Sequence, residues 1–536
     1  MADRFGSKLK NFGIPAPEDV LKKLGSAAFG AKENSPVPVL ITTLVVSFLC
    51  YFYHMLYGLG CPDTLCEGVW YYRNSDYSTS QARWMIRYIN ELFGKNIIIP
   101  VVNVLAYCFM IGISVYIICR MAGIKKPLHQ ISLTAMMVSF PIVLHHFAFM
   151  YMALAFSFSF MAVTVGCALV RTRKVIGVIL GTASFLMMMG AYQAYIGAIS
   201  ALAIILLIFD VLNDNKIKNG LINFVLTGIS GSAACIINIP FSSWMMKIHG
   251  VGADGRVSSF SIGDIFANLG FSLKYSYVWF FSYFNNDVLS RNRLYAVLLA
   301  VIALLGVISL IILIKEKRIA GAAIFAISIL LIPIAMNSLL VIMPTNGMRD
   351  ILRYQYALIF ALLFILFNFV KENKIAVCAK YLAYLAILFV FIGNVISANC
   401  TEFMYKICYD HTEQQMLLAM ERVYALEGYT DNQTRIVIGG APSYEVISAA
   451  NPKLLRYAEK DGSPVFWWNP YGMTICREHY FKDFLGVNAG YVSEQEYLNI
   501  VNSKQYAEMS VWPEEGSVEM IEGFAVIKFA VDPPKN

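Results

Sequence analysis

Long apolar runs, separated by short polar connections, set the pattern of this chain. A helix crossing a bilayer needs about 20 apolar residues. Runs of that kind fall at 37–59, 97–119, 128–147, 151–170, 175–192, 194–212, 221–244, 293–314, 319–343, 355–370 and 379–398. The pattern therefore predicts about eleven spans. Every second connection is basic. One set holds Lys8, Lys10, Lys22, Lys23 and Lys32, then Arg120, Lys125 and Lys126, then Arg171, Arg173 and Lys174. It continues with Lys216 and Lys218, with Lys315, Lys317 and Arg318, and with Lys371 and Lys374. Short cytoplasmic loops are rich in Lys and Arg, so the N-terminus is expected inside. An odd number of spans then puts the C-terminus outside.

Composition supports the same class. The 536 residues are 58% hydrophobic and 14% charged, against roughly 45–50% and about 25% in soluble domains. The net charge of +7 does not point to nucleic acid, because the basic residues sit in short runs between apolar stretches. The expected fold is an α-helical polytopic membrane protein.

Three regions follow. Residues 1–36 form a basic cytoplasmic segment, too polar for a secretory signal, in which 17–30 suit a short interfacial helix. Residues 37–398 hold the spans. Residues 399–536 are long enough for a small extracytoplasmic α/β domain. There a helical pattern at 412–426 precedes a β-like run at 434–440, a helical stretch at 494–509, and strands at 517–521 and 524–530 around Glu522-Gly523. Cys50, Cys108, Cys119, Cys167, Cys235 and Cys378 fall in or beside the apolar runs and read as small buried hydrophobes. Cys61, Cys66, Cys400, Cys408 and Cys476 fall outside, where disulfides persist.

Several chemistries are disfavoured. Gly250, Gly252 and Gly255 spell GxGxxG without a βαβ context. There is no Walker A sequence, no D-x-D pair for a nucleotide-sugar, and no His/Cys cluster with zinc spacing. Neither a metal nor a cofactor is expected.

The connection after the first span is the informative one. It carries Asp63, Glu67 and Asp76 among Trp70, Tyr71, Tyr72, Tyr77 and Trp84, with Arg73, Arg83 and Arg87 close by. Aromatic faces for sugar rings, carboxylates for hydroxyls and arginines for phosphate together suit a lipid-linked sugar. An interfacial aromatic belt accounts for the same composition.

Four elements resemble the Gtr type II glucosyltransferases, multi-span enzymes of GT-C architecture. They are Pro62-Asp63-Thr64, then Ala82-Arg83-Trp84 where the family has G-R-W, then Phe140-Pro141, then Tyr192-Gln193. The closing strand pair fits as well. Ala82 departs from the usual glycine. The resemblance implies transfer of a hexose, glucose first among them, from a polyprenyl-phosphate carrier to a surface polysaccharide outside the cytoplasmic membrane. An acceptor hydroxyl would attack the anomeric carbon while a carboxylate takes its proton and cations stabilise the departing phosphate.

Asp63, at the family's acidic position, is the candidate base, and Glu67 the second. Arg83, Arg349 and Arg353 are the candidate phosphate ligands. Arg349 and Arg353 are spaced i,i+4 and would share one face of a helix. Trp84, His145, His146, Tyr192 and Gln193 are candidate substrate contacts. The expected partners are the lipid-linked donor, a polysaccharide or lipid-linked glycan acceptor and membrane lipid, not nucleic acid. A transporter or flippase of lipid-linked sugars is the main rival, and it would need ionisable residues within the spans. A GT-C transferase for another sugar and an anchored sugar-binding protein, with FWWNPY at 466–471, are further alternatives.

Overall fold

A computed structural model describes residues 35–58, 75–93, 98–213, 217–254, 266–285, 292–342, 350–370, 374–440, 481 and 485–529. The first half runs α1 (Val37–Tyr57), α2 (Ser75–Ser80), α3 (Met85–Leu92), α4 (Pro100–Met121), α5 (Pro127–Val138), α6 (Ile142–Ala148), α7 (Met150–Val170), α8 (Val175–Ala191) and α9 (Ile196–Leu212). Then come α10 (Ile217–Ile248), α11 (Leu269–Tyr283), α12 (Asn292–Lys315), α13 (Ile319–Met336), α14 (Ser338–Ile342), α15 (Ile359–Phe369) and α16 (Lys374–Tyr424). The last part holds β1 (Arg435–Gly439), α17 (Glu494–Val501), α18 (Lys504–Glu508), β2 (Val518–Ile521) and β3 (Phe524–Lys528).

Among the described residues eight helices are long and apolar enough to cross a membrane. The pair α5 and α6, bent by 43°, makes a ninth if it is one span, and Val175–Ala191 and Tyr354–Phe369 are shorter apolar helices. Each of the eleven apolar runs is thus a helix or a helix pair, but only eight to nine are long and apolar enough to cross a membrane. The protein is a multi-pass membrane protein. Helix α7 packs between α4 and α8, α1 packs on α4 and α5, and α9 packs on α10 and α13. Large apolar side chains such as Ile176, Ile179, Ile236 and Ile239 remain exposed on helix faces, as lipid-facing positions require.

The break between α5 and α6 has a chemical cause. Pro141 has no N–H for the carbonyl of Met137, four residues back. The Tyr354 hydroxyl donates to that carbonyl at 2.9 Å, and the Tyr51 hydroxyl donates to the next, Val138, at 2.6 Å. Phe140, fully buried, packs on the Tyr354 ring with centroids 6.1 Å apart. The Phe-Pro element is therefore a kink whose freed backbone groups are satisfied by tyrosines from two other segments.

Helix α16 runs for 51 residues without interruption, so position 399 lies inside a helix. Its Glu402 is fully buried. Glu402 Oε1 stands 3.2 Å from His54 Nδ1, and Oε2 accepts from the His54 backbone N–H. The spans are thus not free of carboxylates. This one is paired and enclosed by protein, which differs from the exposed ionisable path of a conduit.

The sheet has the order β1-β3-β2, with β1 parallel to β3 and β2 antiparallel to it. The stretch 494–509 is two helices rather than one, because Ser503 caps α18 by accepting from the Tyr506 N–H. Ser493 and Glu496 form a capping box on α17, and Arg435 reaches the same carboxylate at 2.8 Å. Hydrogen bonds from Ser493 and Arg435 hold the Glu496 carboxyl down at about 2. Cys50, Cys108, Cys119 and Cys167 are buried, whereas Cys378 is exposed and Cys235 half-buried. Cys61, Cys66, Cys476 and the side chain of Cys408 lie outside the described residues, as do residues 1–34 and 466–471.

Candidate functional site

The site grows from a helix end. Helix α2 stops in a Schellman turn, in which the Arg83 N–H reaches the Ser78 carbonyl and the Ala82 N–H the Thr79 carbonyl, each at 3.0 Å. That turn needs a left-handed residue at position 82, and Ala82 has φ +62°. Glycine is the favoured occupant, which gives the G-R-W element its physical meaning. Alanine holds the same geometry here at a cost of roughly 1–2 kcal/mol. Ala82→Gly is therefore expected to raise stability by about 1 kcal/mol without loss of activity. Thermal unfolding in detergent checks this, and a lowered midpoint would sink the strain argument.

The turn aims two side chains. Arg83 lies over the Tyr192 ring, 4.9 Å from its centroid. Trp84 is buried, and its indole N–H donates to Asn238 Oδ1 at 3.1 Å. Gly190 leaves the room: a Cβ there would come within 2.2 Å of the indole. Gln193 closes the loop, its amide donating to the Ala82 carbonyl at 3.0 Å. The G-R-W-like and Tyr-Gln elements, 110 residues apart in numbering (193 − 83), are one contact.

From Tyr192 the contacts continue inward. Its ring meets Phe156 edge-on at 4.7 Å, and Phe156 stacks on His146 at 4.3 Å. His146 is fully buried. Its Nε2 lies 2.9 Å from the Ile351 carbonyl, which only accepts, so Nε2 carries the proton. Nδ1, 2.7 Å from the Tyr107 hydroxyl, then accepts from it. Both ring nitrogens are engaged. His146 pins the turn Asp350–Leu352, and Arg353 follows directly. His145 is also buried, so neither histidine presents an open face.

Arg353 is not on an α-helix. It sits between two 3₁₀ turns, Asp350–Leu352 and Tyr354–Leu358, with φ −114°. Over the described residues 350–353 the α-helix that would align Arg353 with position 349 is not formed. The buried Tyr354 and Tyr356 explain the tighter winding, since their hydroxyls reach Met137 O and Asn337 Oδ1 (2.6 Å). The Arg353 guanidinium lies 5.7 Å from the Trp279 ring centroid.

Six of the expected residues thus belong to one connected set: Arg83, Trp84, Tyr192 and Gln193 around the α2 turn, then His146 and Arg353 through Phe156 and Ile351. Asp63, Glu67 and Arg349 lie outside the described residues. Sequence reading missed Phe156, Tyr107, Trp279 and the His54–Glu402 pair. A histidine inside an apolar run, with a carboxylate just past the last run, was the available signal for that pair.

The six residues of the connected set stand at one end of the bundle. Met121, Arg171 and Leu212, at the far ends of α4, α7 and α9, line a basic cavity at the other. The 21-residue α7 sets the separation at roughly 30 Å.

Residues 68–366, more than half of the chain, match the family described as Glucosyl transferase GtrII. Comparison with curated proteins and with solved structures gives no match.

Proposed function

Since the chain belongs to the GtrII glucosyl transferase family, and is by that membership a membrane glycosyltransferase, we propose that it takes glucose from a polyprenyl-phosphate carrier. The acceptor is a surface polysaccharide or lipid-linked glycan at the outer face of the cytoplasmic membrane. The observation that carries this reading is the set Arg83–Tyr192–Phe156–His146–Arg353 at the bundle end opposite the basic connections. The positive-inside rule makes the basic end cytoplasmic. The two arginines then face the outer leaflet, where an already activated lipid donor needs neither ATP nor a nucleotide.

Chemically, the acceptor oxygen forms a bond to the anomeric carbon as the bond from that carbon to the phosphate oxygen breaks. The acceptor proton passes to Asp63, and the lipid phosphate leaves with the electron pair. Arg83 and Arg353 stabilise its growing charge, since guanidinium groups bind phosphate in a planar fork. Trp84, its ring held by Asn238 and Gly190, supports the sugar-side wall.

Purified protein given polyprenyl-phosphoryl glucose, mannose and galactose is expected to transfer glucose preferentially to a glycan acceptor. Movement of lipid-linked sugar across vesicles without any transfer would overturn the reading in favour of a flippase. Orientation has its own check. A cysteine replacing Lys125 or Lys317 should resist an impermeant reagent added outside, while one placed in 485–529 should react. Strong outside labelling at Lys125→Cys would reverse the topology.

A further inference from the structure

The basic end of the bundle carries a second site. A cavity of about 820 Å³ opens there, lined by Arg120, Lys125, Arg171, Arg173 and Arg318 with Asp210 and Glu316. This size falls in the range of pockets that enclose small ligands.

Its lining has two layers. Arg120 and Lys125 are exposed at the rim. Among the described residues Arg173 donates to a neutral amide, the Asn219 side chain, at 2.5 Å. The floor is different. Asp210 is 2% exposed, and its Oδ1 accepts from Arg171 at 2.9 Å. Its second oxygen, Oδ2, is buried with no hydrogen-bond partner among the described residues. Asn223, 7% exposed and also in the lining, has Oδ1 in the same condition. Buried acceptors without donors are rare in folded proteins and call for a donor from elsewhere.

We propose that this cavity binds a phosphate ester bearing free hydroxyls, its phosphate on Arg120, Lys125 and Arg173 and its hydroxyls donating to Asp210 Oδ2 and Asn223 Oδ1. A simple anion would satisfy the rim and leave the floor acceptors empty. A metal cation would suit the floor and be repelled by the rim. A polyol phosphate satisfies both. Such a group is present in the leaflet as a lipid headgroup and in solution as a free ester. Basic pockets between spans are established places for anionic headgroups. The site is separate from the Arg83–Arg353 set, about one helix length away, and does not depend on the function proposed for that set.

The test uses the full chain in nanodiscs. Native mass spectrometry after detergent release reads retention of phosphatidylglycerol against phosphatidylethanol, which has the same charge and no hydroxyl, and against phosphatidylcholine. Phosphatidylglycerol should be retained over both. Arg120→Ala with Lys125→Ala, at exposed positions, should lower retention about tenfold. Asn223→Leu should erase the preference over phosphatidylethanol while keeping that over phosphatidylcholine. Free glycerol 3-phosphate is added as competitor. Displacement at micromolar concentration marks a soluble ester as the ligand, and resistance to it marks a membrane-held one; either supports the shared chemistry. Equal retention of phosphatidylglycerol and phosphatidylcholine without binding of the free ester would overturn the proposal. So would unchanged retention in the double alanine variant.

Discussion

Asp63→Asn is expected to slow sugar transfer by roughly 10²–10⁴, the usual cost of losing a general base. The substitution keeps the size of the side chain and removes its basicity. Binding of the lipid donor should survive, because the arginines proposed to hold its phosphate are elsewhere in the chain. Glu67→Gln is the matched control, as it neutralises a carboxylate four residues along the same connection. Rates measured with purified lipid donor decide the roles. A dead Glu67→Gln beside an active Asp63→Asn would exchange them. Activity in both variants would move the base out of this connection. Asp254 is then next to test, because its backbone N–H bonds the Ser80 carbonyl at 3.0 Å and its carboxylate accepts from Gln81. That places a carboxylate at the same turn that presents Arg83.

Much of this architecture was legible because bilayer thickness leaves a strong period in the sequence. All eleven apolar runs coincide with helices, and the β-like runs at 434–440, 517–521 and 524–530 coincide with the strands of one sheet. What was not legible has specific causes. The continuity of α16 through position 399 was hidden because Thr401, Glu402, Lys406 and Asp410 interrupt the apolar run. Buried partners, here His54 for Glu402, make such residues compatible with a spanning helix. The 3₁₀ winding around Arg353 was hidden because it answers to distant carbonyls, Met137 O above all. No local propensity encodes that. The Ala82 turn was half legible: the departure from glycine was visible, but its left-handed geometry belongs to the end of α2.

The candidate site shows the same division. The three described elements, Ala82-Arg83-Trp84, Phe140-Pro141 and Tyr192-Gln193, pointed to their residues one at a time, and only the fold joined them. The joining is done by aromatic packing, which has no spacing rule along a sequence. Phe156 in particular lies between Tyr192 and His146, yet it belongs to a run, MYMALAFSFSF, in which four phenylalanine or tyrosine rings look alike. The histidines show what position along a span leaves unsaid. Their position at a span end suggested contact with the donor, but His146 has both nitrogens committed to Tyr107 and Ile351. What the fold gives it is the turn that precedes Arg353, held through the Ile351 carbonyl.

Arg353→Ala should lower kcat/KM for the lipid donor by about 10–100-fold, the equivalent of losing a charged hydrogen bond of roughly 1.5–3 kcal/mol. If the contact strengthens as the phosphate departs, the loss appears in kcat; if it holds donor and transition state alike, it appears in KM. Arg353→Lys should recover only part, because an ammonium keeps the charge without the fork. Arg83 permits a sharper comparison. Tyr192→Phe preserves the ring under its guanidinium and should be nearly silent, whereas Tyr192→Leu removes a cation–π contact of about 0.5–2 kcal/mol. Tyr192→Leu should therefore weaken transfer in the same direction as Arg83→Ala, and combining the two should add little, since they disable one element. Additive losses would mean that Tyr192 acts on the substrate itself rather than through Arg83. Wild-type kinetics for Arg353→Ala and Arg83→Ala would remove the phosphate from this end of the bundle altogether.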